Sequence, residues 1–221
     1  MTLPRVGTRC SAAYDPDCTR CPRLARYLEA TRAGHPEYWA RPVPSFGAAR
    51  PKLLIVGLAP GMHGANRTGR PFTGDFAGIL LYRTLYELGL ASAPESAAAD
   101  DALQLIEARI ANAVKCVPPG NKPLPEEITR CNSFLREELA ALPTVRVYLA
   151  LGRIAHDAVL LARDLKRSHY AFGHGHEHAL GEAHWLVDSY HCSRYNTQTR
   201  RLTAPMFREV VARACARAGL R

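Results

Sequence analysis

The stretch Gly57-Leu58-Ala59-Pro60-Gly61 through Gly74-Asp75 holds the densest set of residues able to do chemistry. Its glycines permit tight turns and let backbone come close to a flat or anionic ligand. Backbone donors at Gly57, Leu58, Ala59 and Gly61 could then fix a ring edge. Phe72 is the one large aromatic in the loop and is suited to stacking; Asp75 is its one acid. A core position for Phe72 and a helix-capping role for Asp75 stay open beside these readings. Neither a GxGxxG fingerprint nor a GxxxxGK phosphate loop can be read here.

Two amides recur downstream. Asn112 sits in a strand pattern and Asn121 in the loop Pro118 to Pro123. An amide offers one acceptor and two donors, enough to read a pyrimidine edge, although either residue alone is equally at home in a turn. A third segment runs from His191 to Leu202. Its Arg194, Asn196, Gln198 and Arg201 suit phosphate contacts, and Leu202 or Tyr195 could wedge into a base stack. The plainer alternative is a solvated polar loop.

Seven cysteines without a secretory leader point to a reducing compartment and to ligation. Cys18 and Cys21 form a CxxC, and Cys116 and Cys131 follow far downstream. Four thiolates fit either zinc or a [4Fe-4S] cluster; the wide split of the second pair favours the cluster. Cys10, Cys192 and Cys215 fall outside the pattern. His174, His176 and His178, with His184 nearby, could bind metal but read more simply as incidental histidines of a surface loop. Lys115 and Lys122 read as phosphate contacts or solvated residues.

These residues need a scaffold. Short apolar runs at 52–58, 108–117, 145–151 and 184–190 predict strands. Helical spacing predicts helices at 23–33, after Asp75, and at 125–142, 154–165 and 206–218. The alternation implies an α/β fold: one three-layer domain over 1–221, with a central four-stranded parallel sheet flanked by helices. Residues 1–50 would wrap it and carry two of the paired cysteines. Ligands of such sheets sit outside the carboxyl ends of the strands, so the three loops should converge on one site.

Composition narrows the function. Lys plus Arg number 29 against 20 Asp plus Glu, an excess that suits a polyanionic partner. At 47% hydrophobic the chain is not a disordered one, and no apolar run nears the roughly 20 residues of a membrane span. The expectation is a monomer in the cytoplasm, associated with the nucleoid.

The stretches GLAPGMHGANRTGRPFTGD (57–75), NAVKCVPPGNKP (112–123) and SYHCSRYNTQTRRLT (189–203) resemble the uracil-DNA glycosylase superfamily, specifically its iron-sulfur family 5. Cys18 and Cys21, followed by Pro22-Arg23-Leu24, complete the pattern. The resemblance implies a monofunctional glycosylase that flips out and hydrolytically removes uracil, and other deaminated bases such as hypoxanthine, from DNA. It implies a structural [4Fe-4S] cluster on Cys18, Cys21, Cys116 and Cys131. Phe72 would stack on the flipped base and His191 would face its O2 side. Asn112 would read the uracil edge, with Asn121 sharing that task. Leu58 and Ala59 stand where other branches place an acid or amide, which leaves Asp75 to activate water. Cys192 departs from the third motif and is expected to be packed. Two other classes compete: a non-catalytic DNA-binding module with a structural iron-sulfur or zinc site, and a hydrolase of free nucleosides.

Overall fold

The computed structural model describes residues 14–220; Cys10 lies outside them. The four apolar runs form β2 (Leu53–Gly57), β3 (Ala108–Asn112), β4 (Val147–Leu151) and β6 (Trp185–Ser189), all parallel to one another. Two short strands add antiparallel edges, β1 (Phe46–Gly47) on β3 and β5 (Glu177–Ala179) on β6. The sheet is therefore six-stranded and mixed, in the order β1-β3-β2-β4-β6-β5. The expected parallel four form its centre. The edges escape sequence reading because two or three half-buried residues, one set among prolines and the other among histidines, show no period-two apolar pattern.

Alternation along the strands divides the core. Leu53 and Ile55 face α3 (Phe76–Glu87) and α7 (Ala204–Ala218), packing with Leu81, Leu85, Phe207 and Val211. Leu54 and Val56 face α4 (Pro125–Ala141) and α5 (Arg153–Ala162), packing with Leu135, Leu139 and Val159. A third cluster joins Leu24 and Leu28 of α1 (Pro22–Gly34) to Val114, Val117, Phe134, Cys116 and Cys131, with the half-buried Cys18 and Cys21 packed against it. The predicted second strand stops early. Beyond Asn112 the regular ladder ends and the chain stays beside the end of β2, with Ala113 N–H donating to the Gly57 carbonyl and Val114 N–H to that of Leu58.

Lys115 is a correction to the sequence reading. It is 2% exposed, and its ammonium donates to Glu138 at 3.2 Å and Ser45 at 2.8 Å, facing away from solvent and phosphate. Arg109 donates to the other Glu138 oxygen at 2.8 Å. Burial alone would raise the Glu138 carboxyl, but the Lys115 and Arg109 charges outweigh it and hold the group below its usual range. Its stabilising contribution is therefore present above the unfolded value of about 4.3 and is lost as pH falls through the lower folded value. Glu138→Ala strands a buried ammonium, so denaturant titration at neutral pH is expected to show a loss of about 3–5 kcal/mol. A loss under about 1 kcal/mol, typical of an exposed pair, would contradict this role.

Candidate active site

The strand order reverses about β2: its connection leads to β3 on one side, and β4 and β6 build outward on the other. Loops leaving carboxyl ends there enclose a crevice. A cleft of about 410 Å³ occupies it, lined by Leu58, Ala59, Gly61, Ala65, Phe72, Asp75, Phe76, Ala77, Asn112, Asn121, His191, Ser193 and Arg194. The three sequence segments thus meet.

Gly57 explains how the inner wall closes. A Cβ there would stand 2.6 Å from Asn112 Oδ1 and 2.7 Å from the Phe72 ring, so only glycine lets both side chains in. Asn112 is 3% exposed and its Oδ1 has no hydrogen-bond partner among the described residues. A buried acceptor left bare costs about 1–3 kcal/mol unless a ligand satisfies it. Phe72 is 6% exposed and belongs to the core cluster while lining the cleft, so packing and site roles coincide. Its φ of 55° is costly for a bulky residue and marks a held conformation.

Asp75 likewise does two things. Oδ1 accepts from Gly78 N–H at 2.8 Å and caps α3, while Oδ2 packs over Gly64, where a Cβ would stand 2.6 Å away. Burial raises its pKa more than the Gly78 and Ala77 N–H groups lower it. His191 stacks against Phe72 with centroids 5.8 Å apart and planes 26° apart. Burial lowers its pKa to about 4, so the ring is neutral at pH 7. Asn121 reaches the cleft from the turn Pro119–Asn121 with a φ of 57°.

The four paired cysteines converge elsewhere. Cys18, Cys21, Cys116 and Cys131 line one small apolar cavity with Leu24, Val114 and Phe134. No disulfide joins them. Lys115 N–H donates to Cys131 Sγ at 3.3 Å. Burial, then Cys131, Cys18 and Cys21, push the Cys116 thiol up: four thiolates so placed require positive charge in their midst.

A family model described as the uracil DNA glycosylase superfamily matches residues 44–215. This chain belongs to the uracil-DNA glycosylase superfamily. It is 51% identical over 209 residues to a type-5 uracil-DNA glycosylase of Thermus thermophilus, covering 92% of this chain and 94% of that one. A type-5 uracil-DNA glycosylase of Pyrobaculum aerophilum is 43% identical, covering 92% and 90%. A type-4 uracil-DNA glycosylase of the same organism is 34% identical over 145 residues, covering 65% and 60%.

The third loop of this superfamily member differs from its sequence reading. It contains a short helix, α6 (Arg194–Gln198), capped by Ser193. Leu202 is 1% exposed and packed in the main core, so it cannot be a surface wedge as placed; Tyr195, 70% exposed, is the aromatic that projects. Asn196 turns inward, its amide donating to the His191 carbonyl at 2.8 Å. This bond ties α6 to the start of the loop. Arg194 lies 5.1 Å over the Phe76 ring and Arg201 4.4 Å over the Tyr190 ring, while Gln198 is exposed. Cys192 is fully buried. Phe76, which the sequence reading passed over, adjoins Asp75 in the first motif. That adjacency was its only signal.

The site geometry predicts how activity responds to pH and mutation. With Asp75 as the candidate proton acceptor, which must then be ionised, kcat/KM should fall on the acid side through a value above the usual carboxylate pKa of about 3.9. Because His191 titrates near 4, no inflection near pH 6.5 is expected. Asp75→Asn keeps a cap oxygen, so single-turnover excision should drop about 100-fold or more without loss of thermal stability. Unchanged rates in Asp75→Asn would remove Asp75 from proton transfer.

Proposed function

We propose that this protein is a monofunctional uracil-DNA glycosylase of type 5, hydrolysing the N-glycosidic bond of uracil in DNA during base excision repair. The names of its relatives support this, and one structural observation carries it: the bare, buried Oδ1 of Asn112 beside Asp75 and His191. Uracil presents a donor at N3 where cytosine presents an acceptor. Hypoxanthine differs from adenine in the same sense at N1. A fixed buried acceptor therefore favours the deaminated base over its parent, and we extend the reading to hypoxanthine on that ground. A site built around one hydrogen bond rejects the ligand that cannot make it.

The target base leaves the duplex at a cost of a few kcal/mol. Arg194, Gln198 and Arg201 flank the phosphates, and Tyr195 takes the wedge position in place of Leu202. In the cleft Phe72 stacks on the base while Asn112 and the Leu58–Gly61 backbone meet its edge, with Asn121 at the rim. Asp75 orients a water molecule and accepts its proton as oxygen bonds to C1′. The C1′–N bond breaks with its electron pair passing to the base, and His191 N–H stabilises the anion at O2. Preorganised donors of this kind are worth about 3 kcal/mol each. No lysine lines the cleft, so Schiff-base chemistry has no amine to use.

Cys18, Cys21, Cys116 and Cys131 fit a structural [4Fe-4S] cluster. Zinc with Zn–S bonds of about 2.3 Å would set tetrahedral sulfurs about 3.8 Å apart. Among the described residues only His156, His178 and Asp188 bring three ligand atoms within 4.8 Å of one another, so no three of the four thiols draw that close, as tetrahedral zinc would need. The Lys115 N–H on Cys131 is the kind of hydrogen bond that tunes cluster sulfurs.

Alkali-dependent cleavage of oligonucleotides carrying one uracil tests the activity, in single-stranded, U·G and U·A forms with a hypoxanthine lane beside them. Cleavage at uracil that is lost in Asn112→Ala is expected. Tight DNA binding with no released base would favour a non-catalytic DNA-binding module.

A further inference from the structure

A buried polar cluster lies outside this chemistry. Asp188 of β6 is 0% exposed, and alternation turns it with Leu186 toward the α5 side of the sheet. His156 of α5 is 1% exposed and places Nδ1 2.7 Å from Asp188 Oδ1. Its Nε2 lies 3.0 Å from the Tyr170 carbonyl oxygen. A carbonyl only accepts, so Nε2 carries a hydrogen. A neutral imidazole then has just a lone pair at Nδ1, facing a carboxylate oxygen. Two acceptors at 2.7 Å require a positive centre beside them, either a second proton or a metal ion.

A third group points to the metal. His178 of β5 brings Nε2 to 3.2 Å from Asp188 Oδ2, and all three ligand-type atoms lie within 4.8 Å of one another. We propose that His156, His178 and Asp188 form a binding site for one divalent transition-metal ion, zinc or a close analogue, separate from the four thiols. Two imidazoles and a carboxylate are a donor set that zinc, cobalt and nickel accept. The outer contacts match such a site: the Tyr170 carbonyl fixes the His156 tautomer, and Gly173 N–H donates to Asp188 Oδ2 at 3.3 Å. His178 keeps 15% exposure, which gives the ion a way in and leaves a coordination position for water. The bound ion would tie edge strand β5 to α5 and β6. Of the three histidines at 174, 176 and 178, only His178 joins the set; the sequence reading of this segment as an incidental surface loop could not see partners at 156 and 188.

The test uses the cluster-containing protein, freed of loose metal and assayed for iron throughout. Cobalt titration should show one ion per chain with bands of nitrogen and oxygen ligation and no sulfur-to-cobalt charge transfer. Zinc should raise Tm. Both effects should vanish in His178→Gln, which keeps a donor for Asp188. Zinc-edge X-ray absorption on the unmutated protein, expected to show two imidazoles and no sulfur, decides the matter if that variant does not fold. Absence of binding, binding unaltered in His178→Gln, or sulfur in the coordination shell would overturn the proposal.

Discussion

An unpaired amide oxygen buried at the end of β3 is the constraint on which the site depends. Asn112 Oδ1 and the Phe72 ring both pack over residue 57 and can sit there only because it lacks a side chain. The arrangement is unfavourable in the empty protein, as is the left-handed backbone of Phe72. In the proposed function both become useful when a base with an N–H donor enters: the oxygen gains its partner and the ring gains a stacking surface. The free energy withheld in folding is thereby returned as selectivity.

Such a strained wall needs support from the residues around it. The chain leaving Asn112 is pinned at once by the Ala113 and Val114 N–H groups to Gly57 and Leu58. Lys115 then buries its ammonium against Glu138, and Cys116 enters the thiol cavity. Five consecutive residues, 112 to 116, thus join the cleft amide to the cysteine site. On the other side, Asn196 holds the His191 carbonyl, and burial keeps that imidazole neutral. With that ring neutral, Asp75 is the carboxylate among the residues lining the cleft.

Much of this was legible in the chain. Four parallel strands announced themselves as short, mainly apolar runs, since strands buried on both faces need no alternation. The three loops were identifiable because each follows such a run and carries polar or glycine-rich sequence. What sequence hid was mostly direction. Leu202 looked like a free apolar residue in a polar loop, yet α6 turns it into the core. Lys115 looked basic and accessible, but its partner Glu138 comes from a helix 23 residues on. His178 found its partners on α5 and β6, and β1 and β5 were too short to show a period. In each case the deciding contact is non-local.

Competition by free bases tests the Asn112 account most directly. Uracil and 3-methyluracil share ring, carbonyls and stacking area and differ at the N3 donor. With excision of uracil from a single-stranded oligonucleotide as the readout, uracil should inhibit and 3-methyluracil should be weaker by about tenfold or more, the cost of leaving a buried acceptor unsatisfied. Equal inhibition by the two would mean that Asn112 Oδ1 does not receive the N3 hydrogen, and the account of base selection would fail.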